Sequence, residues 1–239
     1  MLRLDLTLDD NAENLALDEA LLENAELEGG REVLRFWESA KPMVVLGRSS
    51  PIESEVNLGY CRENEIEVMR RCSGGATVVA GEQCLMYALL LSYEQRPQMR
   101  MLDFTHEMVM GRVGDAIRSL GIEVSMQGTC DLTLENRKFS GNALRCKRSW
   151  LIYHGTILCE DFDLSSISKC LETPKRQPEY RKGRNHSDFL TVIPKSTSAV
   201  KEAIAAQWQA EERMENWPLE LTSKLSREKY RQSEWTRKV

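Results

Sequence analysis

Apolar and polar positions along this chain recur with two periods, and the two are interleaved. Leu15, Leu17, Leu21 and Leu22 fall near one stripe of residues 11–28, acids crowd the first half, and Gly29-Gly30 follows, which predicts a helix. Phe104, Met108, Val109, Val113, Ile117 and Leu120 repeat at helical spacing over 103–120, with Gly121 as the stop. Shorter runs read as strands: Val33–Trp37, Met43–Leu46 closing on Gly47-Arg48, Ile66–Met69, Thr77–Val79 and Cys84–Tyr93. Further strands are expected at Glu123–Ser125, Asp131–Leu134 and Leu151–Cys159, with Glu135-Asn136 turning the chain into Lys138-Phe139-Ser140. Short helices are expected over Leu58–Asn64 and Leu164–Leu171. The basic stretch 172–188, with Pro174 and Pro178, reads as a surface loop, followed by one helix before Pro218 and another from Leu219. Strands and helices mix without a βαβ rhythm, which predicts an α+β fold with a mainly antiparallel sheet.

Composition narrows the classes. With 239 residues, 41% of them apolar, the chain is long enough for one large domain with a substantial core. A formal charge of −5 argues against a general nucleic-acid binder. Apolar runs such as Tyr87–Leu91 are too short to span a bilayer, and Met1–Asp5 lacks the apolar core of a signal peptide. Seven widely spaced cysteines without a Cys-x-x-Cys point to reduced thiols and a cytoplasmic setting, and three histidines offer no metal-ligand spacing.

Two segments carry candidate chemistry. Arg70-Arg71-Cys72-Ser73-Gly74-Gly75-Ala76 joins two guanidinium groups to residues small enough to expose their amides, as an anion site requires; a surface turn with two solvated arginines is the plain alternative. Arg137-Lys138-Phe139-Ser140-Gly141-Asn142-Ala143 places an ammonium beside a tight turn, where it would neutralise charge developing on an acyl carbonyl or phosphate, or else face solvent. Asp131 would orient Lys138 or cap a turn. His154, within a strand, reads more readily as a hydrogen-bonded structural residue than as a catalyst.

In order and spacing these segments resemble the lipoate–protein ligase A family, within the wider group of biotin and lipoate ligases and octanoyltransferases. The resemblance runs through Val44-Val45-Leu46-Gly47-Arg48, Glu55-Val56-Asn57, Arg70–Gly75, Asp131 with Lys138–Ala143 and Arg145, His154-Gly155-Thr156-Ile157-Leu158, and Lys229-Tyr230 with Glu234-Trp235. Ala76 stands where the family's third glycine is usual, Ala80-Gly81-Glu82-Gln83-Cys84 follows where His-Asp-x-Gly-Asn is expected, and Cys130 replaces an asparagine.

The resemblance implies a single biotin/lipoate ligase-like catalytic domain over 1–239. Its central, mainly antiparallel sheet would have a smaller second sheet beside it and flanking helices, without a separate C-terminal accessory domain. It implies an acyl chain in a tunnel near the glycine loop and Lys138 as the catalytic residue. Arg48, Arg70, Arg71, Ser73, Gly74, Gly75, Ala76, Asp131, Ser140, Gly141, Ala143, His154, Gly155 and Thr156 would border substrate or acyl-adenylate, and no residue would be a metal ligand.

The expected reaction attaches lipoate or octanoate to a lysine of a lipoyl-domain or glycine-cleavage carrier, with ATP and magnesium for a ligase. A separate accessory subunit is a conceivable further partner; nucleic acid and membrane are not expected. A transferase working from a thioester through a cysteine, and a non-catalytic acyl or carrier-domain binder, are the alternatives. No cysteine stands where the relatives' nucleophile is expected, around Asn185-His186-Ser187.

Overall fold

The computed structural model describes residues 1–174 and 177–238. Lys175 and Arg176, in the basic stretch expected to be a surface loop, lie outside the described residues.

The chain runs β1 (Leu2–Asp5), α1 (Asn11–Glu28), β2 (Val33–Trp37), β3 (Met43–Leu46), α2 (Ile52–Glu55), α3 (Leu58–Glu63), β4 (Glu67–Arg70), β5 (Val78–Ala80) and β6 (Cys84–Ser92). Then come α4 (Leu102–Arg118), β7 (Ser125–Gln127), β8 (Asp131–Leu134), β9 (Arg137–Cys146), β10 (Trp150–Leu158), α5 (Leu164–Cys170), α6 (His186–Phe189) and α7 (Thr197–Gln207). The remainder is β11 (Glu212–Arg213), α8 (Leu219–Leu225), a π-helical turn at Ser226–Tyr230, and α9 (Ser233–Thr236).

The main sheet has the order β11-β1-β2-β6-β10-β9-β8-β7, and a small sheet the order β4-β3-β5. In the main sheet pairing is antiparallel from β2 to β7 and parallel where β1 lies between β11 and β2; in the small sheet β3 pairs parallel with β4 and antiparallel with β5. The α+β class, the mainly antiparallel sheet and the second sheet are therefore as the sequence predicted.

Both faces of the main sheet are buried, so its central strands are continuously apolar rather than alternating. Leu34 and Phe36 of β2, Leu85, Leu89 and Leu91 of β6, and Leu151 and Tyr153 of β10 pack with Val109, Val113 and Ile117 of α4 and Ile204 of α7. Val33, Leu90 and Ile152 face the other way, onto Leu17, Leu21 and Leu22 of α1. Asp10 caps α1, its Oδ1 accepting from the amides of Ala12 at 2.7 Å and Glu13 at 3.1 Å. Ala12, Leu15 and Ala16 continue this helix onto the small sheet.

Several expectations change. Strands β1 and β11 and the one-turn helix α2 are added, each too short a pattern to read, and the strand expected at Glu123–Ser125 lies at Ser125–Gln127. The tail forms α7, α8, a π-helical turn and α9 rather than two helices. Within 172–188, Arg181 and His186 are buried, so the stretch is not wholly a surface loop.

Candidate active site

Two backbone irregularities build the site. Between β8 and β9 the register pairs Leu132 with Ser140 but Thr133 with Lys138, leaving Phe139 as an extra residue. Such a bulge re-aims the side chains that flank it. Residues 138 and 141 would lie on opposite faces of a regular strand; the bulge puts them on one. A Cβ on Gly141 would stand 3.0 Å from Lys138 Cε and Nζ, so glycine here clears room for the ammonium group. The turn before the bulge has Glu135 at φ 50° and Asn136 at φ 62°, the left-handed pair of a tight hairpin. Lys138 Nζ reaches Asp131 Oδ1 at 2.8 Å, and the Tyr180 hydroxyl donates to Asp131 Oδ2 at 2.7 Å. Burial, then Asp131, push the Tyr180 pKa up, so the phenol keeps the proton it donates.

The second irregularity is the glycine loop after β4. Arg71 is buried and its guanidinium turns inward. Nη2 donates to the carbonyls of Gly74 and, at 3.0 Å, Ala76; Nη1 donates to Val45 O at 3.1 Å; and Nε donates to Ser73 Oγ at 3.0 Å. Burial pushes its pKa down to about 10, which leaves it charged at neutral pH. By drawing these carbonyls back, Arg71 leaves the amides of Gly74, Gly75 and Ala76 on the exposed side. Among the described residues none accepts from them. Gly75 sits at φ 87°, and its carbonyl is so close to Gly47 that a Cβ there would lie 1.9 Å from it.

A buried relay supports the loop from the main sheet. Ser73 Oγ and His154 Nε2 are 2.5 Å apart, and His154 Nδ1 is 2.9 Å from Asp18 Oδ2. Arg35 Nη1 donates to Asp18 Oδ1 at 2.5 Å. The Asp18 carboxylate takes the Nδ1 side of the ring and so orients the Nε2 side toward Ser73. Burial alone would raise the Asp18 pKa; Arg35 and His154 outweigh it and hold the carboxyl below its usual range.

Two cavities meet at Lys138. A narrow arm of about 90 Å³ runs between Val78, Val79, Phe139, Leu158, Ile167 and Phe189, with Glu55, Glu172, Arg181 and His186 among its polar groups. An open cleft of about 1190 Å³ passes Gly74, Gly75, Ala143 and His154 toward Leu15, Trp37, Val45, Met86 and Leu144. Glu55, Ala76, Thr77, Lys138, Gly141 and Thr156 line both.

Asp131, Lys138, Gly74, Gly75, Ala76, Gly141, Ala143, His154, Gly155 and Thr156 are thus brought to one cleft, and Ser140 to the narrow arm. Arg71 lines the cleft, but as the former of the loop. Arg70 is corrected: it is the last residue of β4, fully buried, lines neither cavity, and its guanidinium donates to the carbonyls of Gly47, Ser50 and Thr236. Ser73 is likewise buried behind the loop. Arg48 is exposed and lines neither cavity; its amide donates to Ser73 O at 2.7 Å. Sequence reasoning missed Asp18, Trp37 and Tyr180. Asp18 was the most findable, as an acid inside the buried stripe of α1.

Cys130 is the one cysteine lining the cleft among the described residues. Its thiol donates to Asn142 O at 3.1 Å, and burial, then Asp131, push it up to about 11.

The family model of the lipoyl protein ligase A/B catalytic domain matches residues 10–212. The chain belongs to the lipoyl protein ligase A/B catalytic-domain family. It is 30% identical over 164 residues to the probable lipoate-protein ligase A of Mycoplasma pneumoniae, covering 68% of this chain and 46% of that one. To the octanoyltransferase LipM of Carboxydothermus hydrogenoformans it is 27% identical, covering 94% of this chain and 93% of that one. The chain spans about half the length of the curated ligases first matched, 46% and 41% of two of them. Its fold is that of the bi-partite lipoate protein ligase of Thermoplasma acidophilum, with a TM-score of 0.82, 21% identity, and 99% and 95% of the two chains covered.

Proposed function

We propose that this member of the family is an enzyme that attaches lipoate or octanoate to a lysine of a carrier domain through an acyl-adenylate. The observation that carries the reading is the meeting of two unlike arms at Lys138, beside three unengaged loop amides. The wide arm, walled by Leu15, Trp37, Val45, Met86 and Leu144, suits an acyl chain. The narrow arm, largely apolar with a few hydrogen-bonding groups, suits the base of ATP. Two solved proteins of the same fold, one a putative lipoate protein ligase with bound lipoic acid and one a lipoate-protein ligase A bound with ATP, support both ligands.

In this reading the Lys138 ammonium, oriented by Asp131, neutralises the acyl carboxylate as its oxygen attacks the α-phosphorus and pyrophosphate leaves. The loop amides hold the phosphoryl oxygens where negative charge builds. The carrier lysine then attacks the acyl carbonyl, the amide bond forms, and AMP departs with Lys138 stabilising the oxyanion. Magnesium enters as the counter-ion of the nucleotide; among the described residues no group of three or more His, Cys, Asp or Glu gathers at ligand distances. The acceptor is a lipoyl or glycine-cleavage domain; one solved relative is described together with its E2 lipoyl domain. A separate accessory subunit is a further partner of this reading, and its compartment is the cytoplasm. Among the described residues no helix is long and apolar enough to cross a membrane.

The transferase reading is supported by the octanoyltransferase relative, which is covered almost end to end. Against it stands the state of Cys130: a transferase needs a thiolate, and this thiol is held protonated. The test incubates the protein with an apo lipoyl domain and either lipoate with ATP and magnesium, or octanoyl-carrier protein alone, and follows the mass of the domain. A gain that requires ATP is expected. A gain from the thioester alone, blocked by iodoacetamide, overturns the ligase reading; binding without a gain points to a non-catalytic binder.

A further inference from the structure

Arg70 reads as a ligand contact in the sequence, yet its donors point the opposite way, to the end of the chain. Nε donates to the carbonyls of Trp235 at 3.1 Å and Thr236 at 3.0 Å, and Nη2 to Thr236 O at 2.7 Å. Nη1 donates to Gly47 O at 2.7 Å and Ser50 O at 2.8 Å. The Trp235 indole Nε1–H returns a bond to Arg70 O at 2.8 Å. No carboxylate lies within ion-pair distance of this guanidinium among the described residues, so its direct partners are carbonyl dipoles, with Glu55 and Glu53 acting only from a distance. The carbonyls it gathers belong to two places: the C-terminal turn, and the Gly47–Ser50 corner against which Gly75 is pressed. Ser50 Oγ also donates to Gly75 O at 3.3 Å.

The same C-terminal segment grips the loop's other support. The Lys229 ammonium lies 4.0 Å from the centre of the Trp235 ring and donates to Glu19 Oε1 and Oε2 at 2.8 and 2.7 Å. The Tyr230 hydroxyl donates to Glu19 Oε2 at 2.9 Å. Glu19 adjoins Asp18, which holds His154 and through it Ser73. Although α9 has no fully buried residue, Trp235 packs against the small-sheet core and edge-on to Tyr230, while its indole N–H and the carbonyls of Trp235 and Thr236 meet Arg70.

We propose that the C-terminal turn at Trp235-Thr236 is a positioning element of the active site: it fixes Arg70, Arg70 fixes the Gly47–Ser50 corner, and that corner sets where the Gly74–Ala76 amides stand. Trp235 touches no reacting atom. This link is mechanical and holds whatever anionic head the loop receives; only its kinetic readout rests on the ligase reading.

The experiment compares Trp235→Ala and Trp235→Phe with Trp217→Ala, which lies in the same tail but packs on the α1 core cluster away from the loop. Thermal midpoint is measured together with hydrogen exchange of the Arg48 and Arg71 amides, which are bonded to Ser73 O and Leu46 O. KM for lipoate and kcat are measured in the ATP-dependent transfer. In Trp235→Ala, exchange at both amides accelerates and KM rises by about tenfold each, the effect of releasing one buried hydrogen bond. Trp235→Phe, which keeps a ring but loses the Nε1–H, falls between that variant and the parent. Trp217→Ala lowers the midpoint without moving exchange or KM. Unchanged exchange in both Trp235 variants, or equal acceleration in Trp217→Ala, overturns the proposal. If the parent protein transfers no acyl group from any donor, the functional reading fails while the exchange comparison still decides this one.

Discussion

The glycine loop and the β8–β9 hairpin look alike in the sequence, each joining cationic side chains to small residues, yet they use charge in opposite ways. In the loop both guanidinium groups are buried and bonded to carbonyls, and the Gly74–Ala76 backbone forms the exposed surface. In the hairpin the cation itself stands in the cleft, held by one carboxylate and cleared by Gly141. Arginine suits the first task because its planar fork satisfies several carbonyls at once and stays charged when buried. Lysine suits the second because it is a compact charge on a flexible stem that follows a moving group. A cation near glycines is therefore no guide to whether the charge or the glycine touches substrate.

The comparison breaks most sharply at Lys138. Lys138→Ala is expected to lower kcat on the order of 10²–10³, as the loss of one donor at a developing charge does, with an unchanged thermal midpoint; full activity would remove the hairpin from the chemistry. Arg71→Met should act the other way round. It leaves the Gly74, Ala76 and Val45 carbonyls without their donor, and denaturant unfolding should show a loss of about 2–4 kcal/mol. A stable Arg71→Met protein with a selective loss of ligand affinity would mean that the guanidinium meets the ligand directly.

Gly141→Ala sharpens the hairpin side. Its Cβ displaces only the tip of Lys138, so kcat/KM should fall by about tenfold, the scale of a small misplacement, with stability nearly unchanged. The smallest effect is one of pH. Burial, then Arg181, push His186 on α6 down to about 4. Between the ordinary histidine value near 6.5 and that lower one, the unfolded chain binds a proton that the native chain does not. Stability from this group therefore rises with pH across the window and is lost as pH falls. His186→Leu should flatten the acid limb of unfolding free energy against pH, while Lys138→Ala should not.

Long elements were legible in the sequence because their pattern is local. The bounds of α1, β2, β3 and β8 fall where periodicity and stop signals put them, and Glu135-Asn136 forms the expected turn. The site was legible only as a set of residues. That Phe139 is a bulge depends on Leu132 across the ladder, and nothing in residues 137–143 records it. That Arg70 and Arg71 face inward depends on carbonyls from Val45, Gly47 and Thr236, remote in the chain.

By itself the sequence determined the class of fold, the two chemistry-bearing segments and the family resemblance, because propensity, period and motif order are properties of neighbouring residues. Only the tertiary structure decided which cation faces the cleft, which arginines serve the scaffold, and that Asp18 and Trp235 stand behind the loop. Those choices follow from which carbonyls and carboxylates are left unpartnered when distant strands close on one another, and no short stretch of chain contains that information.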